Sequence, residues 1–474
     1  MDKSSRFDFR FDSRFDVLTL LLLMVFLLSL LSLLSGCSPK RSTVSIPVEV
    51  TPSFSASGKE VIPDRWWTAF NDQRLNTLLD LALESNFDLQ TAWHRLRAAR
   101  ALVRRQSSSL WPEINASLSG ESSRASSDSS ADETLHLGLV SEYEVDLWGR
   151  LRSAVDAQRF QAIATLNDFQ TAGLTVSAEI TVTWFQLLEA QQQLVLIDAQ
   201  IKTNQKMLRL LKNRFGSGQI RAVDILRQKQ LFESTQEQKI TAESRLQVLR
   251  HQLAVLLGRP PQKAIHKPAH PLPELPPLPH TGIPSTLIGR RPDVRSAFNK
   301  LMASDRDLAS AISNMYPRLS LTASLEKTAG KGENILKEWA RSLLGNLLAP
   351  VFYGGRLKAE VKRTRAVKQQ RLSEYGQTIL TALREVEDAL IMEKKQLERI
   401  NSLKKQLKLT QQTSQQLRLE FFNGLADYLD VLTALEDEQQ LGRGLLSAHR
   451  ILLEYRIALY RALAGGIGTP KEKE

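Results

Sequence analysis

The strongest constraint on this chain is that it is written twice. Leu110-Trp111-Pro112-Glu113-Ile114 returns as Met315-Tyr316-Pro317-Arg318-Leu319, an offset of 205 residues. Asp88, Ala92 and Leu96 return as Asp293, Ala297 and Leu301 at the same offset. Gly149-Arg150-Leu151 returns as Gly355-Arg356-Leu357, and Phe215, Gly218, Asp224 and Leu226 return as Phe421, Gly424, Asp430 and Leu432, both at 206. Four blocks in one order at one spacing mark an internal duplication, so the fold must be assembled from two copies of one unit. Between the copies, Gly258–Pro284 holds half of the chain's 18 prolines. No helix survives that density of proline, and the segment is read as an extended linker. His266 and His270 lie four apart in it. Proline-rich chain cannot keep two such side chains on one helical face, and His280 stands alone, so these histidines are assigned no metal.

Within each copy the apolar period changes in the same order. Leu75, Leu78, Leu79, Ala82, Leu89, Ala92 and Leu96 follow helical spacing, which predicts a helix over Arg74–Ser108, ended by Trp111-Pro112. Ile114-Asn115-Ala116-Ser117-Leu118 alternates as a half-buried strand does. Ser119–Asp132, rich in Ser, Asp and Glu, is expected to be an exposed loop, and Leu135–Val140 returns toward Tyr143 and Trp148. Aromatic residues at a strand end suit a membrane interface. After Gly149 there is no proline until Pro260. Arg150–Arg214 as one helix would be roughly 98 Å long. Gly216-Ser217-Gly218 turns it, and Ala222–Leu257 returns. The second copy predicts a long helix over Arg356–Phe421, a turn at Asn423-Gly424, and a return over Tyr428–Leu463.

The N-terminus reads as an export signal. Val17–Leu34 is an almost wholly apolar run of 18 residues, followed at once by Ser35, Gly36 and the chain's only cysteine, Cys37. Leu34-Ser35-Gly36-Cys37 resembles a bacterial lipobox, in which the cysteine is lipidated and becomes the new N-terminus. Ser38 follows rather than Asp, a pattern that in bacterial lipoproteins implies sorting to the outer membrane. Residues 1–16 carry four basic and four acidic side chains. This departs from the usual positive start and points to a start codon further along. Removing residues 1–36 leaves the net charge at +12. An exported protein meets no chromosome, so the charge is read as a solvated surface and no nucleic-acid partner is assigned. One cysteine excludes an internal disulfide and any Cys₄ or Cys₂His₂ zinc site.

The boundaries that follow are 1–36 signal peptide with lipobox, 37–72 lipid-anchored segment, 73–257 first repeat, 258–284 linker, 285–464 second repeat and 465–474 polar tail. No other stretch approaches a membrane helix, so entry into a membrane requires strands. The strand candidates lie near 113–120, 134–147, 317–325 and 343–353. The smallest transmembrane barrels need about eight strands. Four would leave two unpaired edges in lipid, so several chains must pool their strands.

The ordered motifs resemble the TolC-like outer-membrane efflux proteins, most closely the lipidated OprM/CusC (NodT) branch. They are Trp66-Trp67 with Phe70 and Leu75; Glu144-Val145-Asp146-Leu147-Trp148-Gly149-Arg150; Arg290-Arg291-Pro292-Asp293-Val294; and Tyr316-Pro317-Arg318-Leu319-Ser320-Leu321-Thr322-Ala323-Ser324. Gly354-Gly355-Arg356-Leu357, Arg384-Glu385-Val386-Glu387-Asp388-Ala389-Leu390 and Asp427-Tyr428-Leu429-Asp430-Val431-Leu432 complete the set. The resemblance implies a mostly α fold with a small β part. Long helical hairpins would form a periplasmic α-barrel, and four strands per chain would contribute to a shared twelve-stranded outer-membrane β-barrel. The number of copies, a homotrimer, comes from the resemblance.

The resemblance further implies a passive exit duct without cofactor or enzymatic activity. Its partners would be a periplasmic adaptor (membrane fusion protein), an inner-membrane RND pump and outer-membrane lipid. The turns Phe215–Asp224 and Phe421–Asp430 match the docking tips, which nominates Phe215, Gly218, Asp224, Phe421 and Gly424. Asp430 matches a carboxylate of the pore constriction. The second carboxylate expected three residues later is Thr433, and Asp427, one turn away, is nominated in its place. Three copies would make each carboxylate a ring whose like charges favour protonation or cation binding. Glu385, Glu387 and Asp388 fall on a long helix with regular charge and are read as a solvated or interhelical face. Arg291-Pro292-Asp293 is read as helix-start chemistry. The alternatives are the outer-membrane duct of a type I protein secretion system, and a pore-less lipid-anchored coiled-coil scaffold.

Overall fold

A computed structural model of the protein describes residues 47–123, 132–261, 271–330 and 339–464. The export segment, Cys37, His266, His270 and the polar tail lie outside the described residues. The first half runs α1 (Gln73–Ser85), α2 (Phe87–Ser108), β1 (Glu113–Ser123), β2 (Asp132–Val145), α3 (Arg150–Gly216) and α4 (Ala222–Leu256). The second runs α5 (Pro284–Arg290), α6 (Pro292–Ser313), β3 (Arg318–Gly330), β4 (Ala340–Leu348), α7 (Arg356–Phe422) and α8 (Tyr428–Leu463). The halves therefore share one element order. Helices α3 and α7 each contain 67 residues, roughly 100 Å at about 1.5 Å per residue. Among the described residues no helix is long and apolar enough to cross a membrane.

The chain divides into two compact units. One contains Arg100–Phe160 and Leu301–Arg371, and with them the sheet. Its strands lie in the order β1-β2-β3-β4, every neighbouring pair antiparallel. Register puts Ile114, Leu118, Leu137, Leu139, Tyr143, Leu319, Leu321, Leu325, Leu343 and Leu347 on one face. The opposite face carries Asn115, Ser117, His136, Ser320, Thr322 and Ser324. Side chains alternate with period two along a strand, so this register makes one wall mostly apolar, with Lys327 and Arg341 among the leucines, and the other mostly polar, with Val140, Leu344 and Leu348 among the hydroxyls. Ile114, Leu118, Leu343 and Leu347 are exposed on the apolar wall, the composition a lipid-facing barrel wall has. At the helical end of the sheet Trp148 stacks on Tyr316, with centroids 5.0 Å apart, and its Nε1 donates to the Pro317 carbonyl at 2.7 Å.

The other unit contains Ile46–Ala99, Gln161–Lys300 and Leu372–Glu474. Its main core gathers Trp66, Trp67 and Phe70 against Phe185 and Tyr460. Trp66-Trp67 open a short 3₁₀ helix, Trp66–Phe70. Asp72 then caps α1 by accepting from the Arg74 and Leu75 N–H groups, and it also accepts from Trp184 Nε1 at 2.7 Å. The linker is fastened to this core. Arg456 is buried, pairs with both oxygens of Glu393 at 2.6 and 2.7 Å, and donates to the carbonyls of Pro276 and Pro277. Glu60 and Pro279 form a parallel bridge beside it. Arg291 likewise does more than open a helix: it pairs with Asp293 and Glu385 at 2.6 and 2.8 Å. Glu385 thus lies on an interhelical face, and Glu387 accepts the Ser55 N–H at 3.0 Å.

Three expectations need correction. The helix over Arg74–Ser108 is broken at Asn86, whose backbone is extended. The Asn86 side chain accepts the Leu89 N–H at 3.0 Å and donates to the Leu256 carbonyl at 2.9 Å, and a capping asparagine starts a new helix at little cost. Ser119–Ser123 and Asp132 belong to β1 and β2 rather than to a loop, because ladder pairing overrides a weak strand composition. β4 lies at Ala340–Leu348 rather than 343–353; Pro350 follows it and lacks the N–H a ladder needs.

Candidate functional site: the two helical tips

Two helical turns end the long hairpins. α3 passes to α4 through Ser217–Arg221, and α7 passes to α8 through Asn423–Asp427. Both first helices stop on a glycine with positive φ, Gly218 at 74° and Gly424 at 76°. Gln219 N donates to the Arg214 carbonyl at 3.0 Å, and Leu425 N to the Glu420 carbonyl at 2.8 Å. This six-to-one bond closes a helix only when the residue before it is left-handed, a conformation glycine adopts without steric penalty.

The tips pack on a shared small core of Met207, Leu211, Leu231, Phe421, Tyr428 and Val431. Arg214, at the end of α3, reaches across to cap α7: its guanidinium donates to the carbonyls of Phe421 and Phe422 at 3.2 and 2.9 Å and lies about 5 Å from both rings. Tyr428 is buried and its hydroxyl donates to Gln228 Oε1 on α4. Burial, with the Asp224 charge nearby, pushes the Tyr428 phenol well above its ordinary range. Further along α8, amides continue the contact: Gln439 Nε2 donates to Asn204 Oδ1, and Asn204 Nδ2 to Thr235 Oγ1, both at 2.9 Å.

The nominated residues separate into two groups. Gly218, Gly424 and Phe215 are on the surface, Phe215 at 47% exposure. Phe421 and Asp224 are 6% and 4% exposed. Phe421 fills the tip core, and Asp224 accepts from the Arg221 backbone N–H at 3.3 Å while its carboxylate lies within 3.9 Å of Arg227. Both therefore shape the tip from inside and offer a partner no surface of their own. Sequence reasoning missed Leu425, 77% exposed at the crown of the second tip, and Phe422 beside it. The available signal was an apolar leucine in a turn where the first repeat has Gln219.

Asp430 is exposed in the first turn of α8, and Asp427 at its N-cap makes no capping hydrogen bond. Neither has an ion-pair partner among the described residues, so both carboxylates remain available at the mouth of the second hairpin. Thr433 spends its hydroxyl on the Leu429 carbonyl at 3.0 Å.

A sequence profile of the family described as "Outer membrane efflux protein" matches this chain twice, over residues 78–259 and 283–465, once on each repeat. The pyoverdine export outer membrane protein OpmQ of Pseudomonas aeruginosa is 30% identical over 465 residues, covering 92% of this chain and 96% of that protein. The cation efflux system protein CusC of Escherichia coli K12 is 25% identical over 449 residues, covering 91% and 97%. The solved outer-membrane channel OprN superposes with a TM-score of 0.84 at 27% identity, covering 90% of this chain and 99% of that one. With a two-walled sheet, paired long hairpins and two glycine-closed tips, the chain belongs to the outer membrane efflux protein family and is a TolC-like outer-membrane channel extending into the periplasm, a conduit rather than an enzyme.

Proposed function

We propose that three copies of this chain form the outer-membrane duct of a tripartite efflux system, driven by an inner-membrane RND pump and joined to it by a periplasmic adaptor at the tips. The observation that carries the reading is the sheet: one wall is mostly apolar, the other mostly polar, and β1 and β4 are its outer strands. Unpaired edges are not tolerated in lipid, and antiparallel pairing of β1 with β4 of the next copy satisfies them. Cyclic symmetry then closes twelve strands around a polar bore. Cys37, lipidated, tethers each copy to the outer membrane.

In this assembly Asp430, assisted by Asp427, forms rings of like charge that bind cations and narrow the bore. Phe215, Phe422, Leu425 and the two tip glycines face the adaptor, while Phe421 and Asp224 hold the tips in shape. OpmQ and CusC are named for pyoverdine export and cation efflux, and a small solute of either kind suits a duct whose selection lies upstream, at the pump.

The test is photo-crosslinking from position 424 in intact cells, followed by mass spectrometry of the captured proteins. An adaptor recovered together with an RND pump is the expected result. Capture of an ABC exporter would move the function to protein secretion, and capture of sister chains alone would remove docking from Gly424.

A further inference from the structure

The repeats differ in charge at the helical end of the sheet, and the difference leaves a site. In the first repeat every arginine at the start of the long helix has its own carboxylate: Arg150 pairs with Glu144 at 2.6 Å and Arg152 with Asp146 at 3.1 Å. In the second repeat the positions of Glu144 and Asp146 are taken by Pro350 and Phe352, while the position of Arg150 is kept as Arg356. Glu113, which opens β1, becomes Arg318, which opens β3. At these positions the second copy has three acids fewer and one base more than the first, and it also carries Glu360 and Arg363 where the first has Ala154 and Ala157.

The structure shows what those changes surround. A shallow surface cavity of about 580 Å³, open to solvent, is lined by Asn314, Arg318, Arg356, Leu357, Ala359, Glu360 and Arg363. Glu360, its one carboxylate, is used by Arg363 at 2.7 and 2.9 Å. Arg318 donates to Asn314 Oδ1 at 2.6 Å, and Arg356 lies 5.1 Å from the Tyr353 ring. Neither Arg318 nor Arg356 faces a carboxylate among the described residues. Two guanidinium groups left without counter-charge at the rim of one cavity match the planar, two-oxygen geometry of a carboxylate or phosphate. Arg318 stands on the polar wall of β3, in step with Ser320, Thr322 and Ser324, the wall that lines the bore when the barrel closes.

We propose that this cavity is an anion-binding station on the wall of the duct, where Arg318 and Arg356 engage a carboxylate or phosphate group of a passing solute. The assignment of the polar wall to the bore rests on the duct reading above.

The experiment is isothermal titration of citrate, and separately of inorganic phosphate, into the detergent-solubilised full chain. It compares the wild type with Arg318→Gln/Arg356→Gln and Arg318→Lys/Arg356→Lys. Saturable binding by the wild type, weakened tenfold or more (about 1.4 kcal/mol or more) in the Gln variant and largely kept in the Lys variant, is expected from removing two charge-assisted contacts. Equal binding by wild type and Gln variant, or none by either, overturns the proposal. Anionic phospholipid that co-purifies with the wild type and is lost from the Gln variant, without citrate binding, assigns the cavity to a lipid headgroup and also overturns it. Planar-bilayer conductance separates the two readings: a wild type that binds citrate but carries no current breaks the duct reading and leaves the anion site standing, whereas a conducting channel without citrate binding does the reverse.

Discussion

Phe215–Arg227 and Phe421–Thr433 occupy the same place in their repeats, and both turns close on a glycine with nearly the same φ. Their side chains have been given opposite tasks. Asp224 has Arg221 three residues before it and Arg227 three after, and it is buried between them. Asp430 has Asp427 and Thr433 at those positions and stands exposed. The phenylalanines diverge the same way: Phe421 is in the core and Phe215 at the surface. A carboxylate with two neighbouring guanidiniums is held in place by them, whereas one beside another carboxylate stays solvated and ready for a cation. The same backbone therefore supplies a structural tip and a chemically available one.

The comparison can be broken most directly at Tyr428, whose counterpart in the first repeat is Ala222. Tyr428→Ala removes a buried ring and leaves Gln228 Oε1 without its donor, so the local opening free energy of α8's first turns should fall by about 3–5 kcal/mol. Hydrogen exchange over residues 415–435 reads this, and a loss below about 1 kcal/mol would mean that the second tip is not anchored through Tyr428.

A smaller effect separates the two aspartates. Asp224→Ala should loosen the start of α4 by about 1–2 kcal/mol. Asp430→Ala should change stability by no more than about 0.5 kcal/mol and act instead on cation sensitivity of the current. Equal destabilisation by both would erase the distinction between the tips.

The smallest effect is in pH. The raised phenol of Tyr428 means that the unfolded chain releases this proton first. Its contribution is therefore present below about pH 10 and is lost as pH rises above that value. Protection at the second tip, taken relative to the intrinsic base-catalysed exchange rate, should fall on the alkaline side, and Tyr428→Phe should flatten that fall. The first tip, with Ala222 in place of the tyrosine, should show no such limb.

Much of the fold was legible because its signals are local. Proline-free runs with helical spacing marked α3, α4, α7 and α8 closely, and the alternation in Ile114–Leu118 marked which face of β1 is apolar. The tip glycines were legible for the same reason, since a positive φ is a property of one residue. Less could be read where the partner is distant in sequence. Trp66-Trp67 could be recognised as a motif, yet their burial depends on Phe185 and Tyr460. The linker was expected to be extended, but its attachment through Arg456 and Glu393 joins residues far apart in the chain.

The sequence by itself determined the duplication, the two hairpins, the turns between them and the alternation of the strands, because each follows from period and composition over short windows. Only the tertiary structure decided which member of each repeated pair is buried. Phe215 and Phe421 have the same turn and the same residue type, and Asp224 and Asp430 the same helix position; what separates them is the set of neighbours brought in from other helices. Arg214 closes over Phe421 and Phe422, and no residue at the equivalent position, Glu420, can do so for Phe215. Burial and charge compensation are pairwise quantities, and a repeat fixes only one partner of each pair.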